Sequence, residues 1–221
     1  LFKKPAEGSR NQMDDYYWTE IGIRFMKLYP EKDLELADVI LENFGNEGSI
    51  LEGFRTETNK IINLISQKHP KEVWIKITKY LGPPIDTRAF DIKEWLRGEG
   101  LFEEEEGQLS VFPPEMVWEW VDQDIEKHAW YLASFVPKVL FRQKDKICWA
   151  REVLVRYGDR EDVRNNLEAN FSTEGWSGPA SLHCQKKKEE LLAFKKEESN
   201  PNVIKWIDDY ISDIDKRIEN E

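Results

Sequence analysis

Residues 69–74 read HPKEVW and residues 113–118 read PPEMVW, so that a proline is followed three and four positions later by Val and Trp in both. Proline suits the first turn of a helix, where the N–H it lacks has no partner within the helix anyway. Residues three and four positions on lie one turn further along the same face, so Val73 with Trp74 and Val117 with Trp118 start an apolar stripe. The two prolines stand 44 residues apart. A further step of that size reaches GDREDVRNNL at residue 158, the next reaches Pro201 in NPNVIKW, and Pro30 lies 40 residues before Pro70. Helix starts that recur every 40 to 44 residues, with room for a second helix between each pair, predict an all-α chain. The predicted architecture is a HEAT/armadillo-like α-solenoid of about five helical hairpins.

The apolar spacing along the chain is helical almost throughout. Trp18, Ile21, Phe25 and Leu28 recur at three and four residues in YYWTEIGIRFMKLY, as do Ile61, Leu64 and Ile65. The same spacing carries Ile204, Ile207, Ile211, Ile214 and Ile218 near the end. Only GLFEEEEGQLSVF, residues 100–112, reads as a short hairpin or an extended excursion. Trp74, Trp118, Trp149 and Trp206 fall on apolar helix faces and are expected in the core, while Trp18, Trp95, Trp120 and Trp130 are expected to pack between helices.

With 221 residues, of which 40% are hydrophobic, the chain has the apolar content to fold rather than stay disordered. Its 43 acids against 32 bases leave a net charge of −11, which argues against nucleic acid as the main partner, because such binding rests on cations that neutralise phosphates. The run Lys186-Lys187-Lys188 is the densest basic stretch, and Glu103 to Glu106 read as a solvated loop. No window has the length of apolar residues that a membrane span needs, and the opening LFKKPAEGSRNQMDD lacks a signal-peptide core, so a cytoplasmic location without membrane contact is expected. Cys148 and Cys184 make neither a disulfide framework nor a zinc spacing and are read as free thiols. The chain opens on Leu1 rather than Met, which suggests a single α-helical repeat domain, residues 1–221, cut from a longer multidomain protein.

One unit carries a more specific pattern. Asp159, Val163, Arg164 and Leu167 resemble the aspartate and arginine signature of HEAT repeats, and the resemblance implies that Asp159 and Arg164 are structural inter-repeat charges. The segment from WAREVLVRYGDREDVRNNLEANFSTEGWSGPASLH to NPNVIKWIDDYI also resembles the C-terminal helical region of bacterial anti-phage defence proteins of the STAND NTPase type, where it follows an NTPase or effector domain. That likeness implies a target-recognition (sensor) domain with a protein partner, such as a phage protein.

The stretch STEGWSGPASLHC, residues 172–184, places a serine, a histidine and a cysteine close together. A nucleophile elbow needs G-x-S-x-G at a strand-to-helix turn, and here Pro179 replaces the last glycine and no strand precedes it. His183 and Cys184 are adjacent on a helix and therefore point in different directions, which argues against a Cys-His pair. The stretch is read as a loop between helices. In it Trp176 either plugs a groove between repeats or offers a rigid contact to a partner, and it is the candidate partner-binding residue. No phosphate-binding loop and no H-E-x-x-H occurs, so the expectation is a non-enzyme with no catalytic, cofactor or metal residue. The leading functional reading is a protein-binding solenoid, and the second is a structural scaffold or oligomerisation domain of a larger enzyme.

Overall fold

A computed structural model of the chain describes residues 12–43, 52–82, 87–98, 107–139, 147–173 and 178–219, and among them the regular structure is entirely helical. The helices are α1 (Gln12–Leu28), α2 (Asp33–Asn43), α3 (Glu52–Lys68), α4 (Pro70–Thr78), α5 (Thr87–Arg97) and α6 (Pro114–Gln123). They continue with α7 (Ile125–Ala133), α8 (Trp149–Tyr157), α9 (Glu161–Ser172), α10 (Ala180–Glu197) and α11 (Pro201–Glu219). None among the described residues is long and apolar enough to cross a membrane.

Proline placed three helix starts correctly, since Pro70, Pro114 and Pro201 are the first residues of α4, α6 and α11. Pro30 opens a 3-10 turn that runs into α2, and the start expected at residue 158 is displaced to Glu161. Two helices follow each start, with two exceptions among the described residues: α6, α7 and α8 all lie between residues 114 and 158, and α11 alone follows Pro201. The extra break comes from Asp124, whose carboxylate accepts the Lys127 N–H at 3.2 Å and caps α7. Residues 100–106 lie outside the described residues, Glu103 to Glu106 among them. Beside them, Gln108–Val111 forms a 3-10 turn rather than a strand.

The chain divides into two compact units, Leu1–Trp120 and Val121–Glu221. In the first, α1 packs on α3, and α2 packs on α3 and α4. The buried face of α1 leaves out Ile21 and Leu28 of its predicted apolar stripe. Met26 and Gly22 are buried, whereas Ile21 is 49% and Leu28 71% exposed. Gly22 is the cause: a Cβ there would stand 2.4 Å from the Ile61 side chain, so α3 approaches through the one position without a side chain. The core of this unit is aromatic. Trp74 lies 5.1 Å from Phe112 and meets Trp120 edge-on at 5.8 Å, and Trp95 stands edge-on to Phe112 at 6.2 Å while its indole N–H donates to Asn63 at 2.7 Å. Asp33, buried at the start of α2, accepts from Lys68 of α3 at 3.1 Å.

In the second unit α7 packs on α8 and α9, α8 also touches α9 and α11, and α10 pairs with α11. Asn166 and Asn170 of α9 satisfy carbonyls at the end of α7: Asn166 donates to Trp130 O at 2.6 Å, and Asn170 to Ala133 O and Val136 O at 3.1 and 3.0 Å. Arg151 of α8 holds Glu198, just past α10, through two hydrogen bonds at 2.7 and 3.1 Å. The Glu198 side chain is buried and also accepts the N–H groups of Ser199 and Asn200, which fixes the turn into α11. Trp206 of α11 meets Phe171 edge-on at 5.4 Å and stacks near Tyr210 at 5.2 Å. Of the tryptophans expected inside, Trp74, Trp118, Trp149 and Trp206 are buried, as are Trp95 and Trp120. Trp130 is half-buried, and the side chain of Trp18 lies outside the described residues. Cys148 and Cys184 are both free thiols, and burial pushes the Cys148 thiol up from its usual pKa.

Candidate functional site

The start of α10 borders a cleft in the second unit. Gly178 takes a φ of 105°, a left-handed conformation that favours glycine, and it turns the chain into Pro179, the N-cap of α10. The small residues Ala180 and Ser181 then open α10. With so little side chain at that end, α10, the last residue of α9 and the second half of α11 leave a cleft of about 180 Å³. Ile218 of α11 supplies its apolar wall over a floor of the almost fully buried Tyr210 and Ile214, and Lys187 and Arg217 supply its cations. Among the described residues no carboxylate lines it, in a chain with a net charge of −11.

Both cations are oriented by α9. Lys187 Nζ donates to Phe171 O at 2.6 Å, which satisfies a carbonyl of the last turn, and it stands 5.3 Å from the centre of the Tyr210 ring. Arg217 donates to the Ser172 hydroxyl at 3.3 Å. His183 and Cys184 also line the cleft, so the two adjacent positions both border one concavity. The sequence pattern singled out this pair but not Lys187, Tyr210 or Arg217, which only the packing of α10 on α11 brings to it. Trp176 and Ser177 lie outside the described residues, as do Glu174 and Gly175.

Arg164 is buried in α9, and its guanidinium donates to Gly158 O at 2.7 Å and to Asp159 O at 3.0 Å. Asp159 sits in the turn between α8 and α9 rather than on the helix, with its side chain exposed, and it meets Arg164 through its main-chain carbonyl. The nearest carboxylate to Arg164 is Asp209 of α11, at 4.0 Å. The indole N–H of Trp206 in turn donates to Arg164 O at 3.2 Å, which ties α11 to α9.

Beside this link, Glu168 of α9 faces Asp213 and Asp209 of α11, with Arg217 and Lys216 close by. Burial, and then a hydrogen bond from its acid form to the Asp213 carboxylate, push the Glu168 carboxyl up to about 7, while Arg217 opposes the shift. Bonds from Lys216 and Glu168 lower Asp213. A carboxyl raised in the fold stabilises it fully below its unfolded value near 4.5 and loses that contribution as pH rises towards 7. The lowered Asp213 acts in a separate window at and below about 3.8. Glu168 is partly exposed, so solvent screening reduces the effect to about 1 kcal/mol between pH 5 and 8. Urea unfolding over that range should show stability declining with pH, and Glu168→Gln should flatten the decline; an unchanged slope in the variant would show that the pair is not titrating.

Among the described residues no group of three or more His, Cys, Asp or Glu is placed to hold a metal ion. Comparison with protein-family models, with curated proteins and with solved structures found no match.

Proposed function

We propose that the chain is a protein-binding α-solenoid, the target-recognition domain of a bacterial defence protein, whose catalytic work is done by a domain outside it. The observation that supports the repeat reading is the sequence distance spanned by hydrogen bonds between helices. In the first unit these bonds join residues 32 to 38 apart, as in Asn63 with Trp95, Asp33 with Lys68 and Asp38 with Lys76. In the second they join residues 34 to 47 apart, as in Val136 with Asn170, Trp130 with Asn166, Arg164 with Trp206 and Arg151 with Glu198. Bonds inside the α10–α11 hairpin span only 13 to 27 residues. Except for Asp33 with Lys68, which joins α2 to the next helix, the longer bonds each skip one helix while the short ones join neighbours, and two such distances are what stacking of similar units produces. Such stacking leaves surface free along its length for a partner, and the defence role comes from the resemblance of the second half of the chain to sensor regions.

The partner contact assigned to Trp176 belongs to this reading. A phage protein co-expressed with the chain should co-purify as a stoichiometric complex on size exclusion, and Trp176→Ala should remove the complex without changing the melting temperature. Loss of several degrees of melting temperature in Trp176→Ala would make the indole a structural plug instead. A chain that binds no member of a phage-protein panel and elutes as a self-assembled oligomer would favour the scaffold.

A further inference from the structure

We propose that the cleft between α10 and α11 captures the C-terminal residue of a partner protein, its apolar side chain against Tyr210, Ile214 and Ile218 and its terminal carboxylate on Lys187 and Arg217. The proposal rests on the reading of the chain as a protein-binding module and names the kind of group that one of its surfaces takes. Size is the first argument. At about 180 Å³ the cleft is smaller than the 300 to 1,000 Å³ typical of cofactor and drug-sized ligand sites, so it suits one large side chain with a short polar extension. Charge is the second. Among the described residues the lining holds a lysine and an arginine and no carboxylate, although acids outnumber bases in the whole chain by 43 to 32. An anion that enters the cleft is therefore met by Lys187 and by Arg217, whose charge also faces Glu168 and Asp213 beside the cleft.

The third argument is the juxtaposition of the two. Apolar wall and cations share a single small cleft, with Lys187 Nζ 5.3 Å from the centre of the Tyr210 ring, so a ligand that fills it carries an apolar body and an anionic group close together. A chain terminus meets this, because the side chain and the α-carboxylate leave the same carbon, whereas an acidic neighbour in mid-chain extends from a different one. Capture of a terminal carboxylate is a recurring mode of peptide recognition. Lys187 is already oriented for it: the bond to Phe171 O and the Tyr210 ring hold the side chain in the cleft, and an ammonium carries three donors. Arg217 presents a guanidinium that can pair with both oxygens of a carboxylate.

The test is a titration of the 221-residue chain with N-acetylphenylalanine, followed by amide chemical shifts. Shifts should concentrate in residues 180–187 and 210–218, with a Kd on the order of 1 mM, and weaken as salt is raised. N-acetylphenylalanine amide, which has the same body without the charge, should bind at least tenfold more weakly. Arg217→Gln should also lose at least tenfold, and Ala180→Leu, which fills the cleft and leaves its charge alone, should abolish binding; circular dichroism melts establish that each variant is folded. Equal binding of acid and amide, or shifts located elsewhere, would overturn the assignment. So would an amide-capped peptide with an internal phenylalanine between two glutamates that binds as well as the free acid. Because the fragment needs no partner, this failure is separable from failure of the wider reading: a phage protein that still binds Arg217→Gln and Ala180→Leu at full strength overturns the cleft and leaves the module, and fragment binding by a chain that recognises no protein does the reverse.

Discussion

Trp206→Ala is expected to lower the stability of the second unit by about 3 to 5 kcal/mol, the range for removing a fully buried aromatic side chain. Trp206 is 1% exposed and sits between Phe171 of α9 and Tyr210 of its own helix, so its removal opens a cavity at the contact of α9 with α11. The indole also supplies the N–H that reaches Arg164 O, and alanine leaves that buried carbonyl without this donor. Urea unfolding followed by far-UV circular dichroism measures the loss. Ile211→Ala on the same helix serves as the comparison, because Ile211 is only half-buried and should cost about 1 kcal/mol. A loss below about 1.5 kcal/mol for Trp206→Ala would mean that α9 and α11 are not joined through the indole.

That pair of substitutions also marks where the helical pattern was legible and where it was not. Isoleucines at 204, 207, 211, 214 and 218 announced an amphipathic helix, and α11 is one, but its buried line is Val203, Trp206, Ile207, Tyr210 and Ile214. The spacing of apolar residues fixes that a stripe exists, and its exact azimuth depends on what the neighbouring helix offers. In α1 the same uncertainty went further. Trp18, Ile21, Phe25 and Leu28 defined a face, yet α3 docks where Gly22 lets Ile61 come close, and a glycine carries no weight in a count of apolar residues. Proline was the most reliable signal because its effect is local: a missing N–H is tolerated in the first turn whatever packs on the helix afterwards. The break at Asp124 was equally local and was still missed, since WVDQDIEKH keeps helical spacing through it and only the side-chain bond to the Lys127 N–H distinguishes a cap from a solvated acid.

The cleft was half legible. His183 and Cys184 stood out as a chemically suggestive pair, and their adjacency on a helix was a sound reason to doubt a nucleophile and base. What the pattern could not show is that Lys187, one turn further on, meets Tyr210 and Arg217 from a helix more than twenty residues away. Lys187 belonged to the run Lys186-Lys187-Lys188, which the sequence marked only as its densest basic stretch. In the structure the three separate: Lys186 lies near Glu190, Lys187 turns into the cleft, and Lys188 pairs with Asp215 at 2.6 Å.

Arg164→Ala should cost about 1 to 3 kcal/mol, and the comparison that gives the number its meaning is Asp209→Asn, expected to stay within about 0.5 kcal/mol of the parent. If Arg164 acted as a HEAT-type linking charge, its loss would matter because an acid on the next helix is stranded. Asp209, however, is 56% exposed and 4.0 Å away, so water replaces most of what the guanidinium gives it. The carbonyls of Gly158 and Asp159 have no such substitute close to the buried guanidinium, which draws the end of α8 onto α9 with bonds of 2.7 and 3.0 Å. Charge is secondary in this account, and the donors are what count. Asp159→Ala should therefore be nearly neutral as well, since the main-chain oxygen that Arg164 uses is kept. Urea unfolding of the three single variants decides between the mechanisms. Equal losses in Arg164→Ala and Asp209→Asn would restore the inter-helix ion pair as the principal interaction. A loss confined to Arg164→Ala would identify the residue as the clasp of the α8–α9 turn, the element that sets where α9 presents Trp206's partner surface and the wall of the cleft.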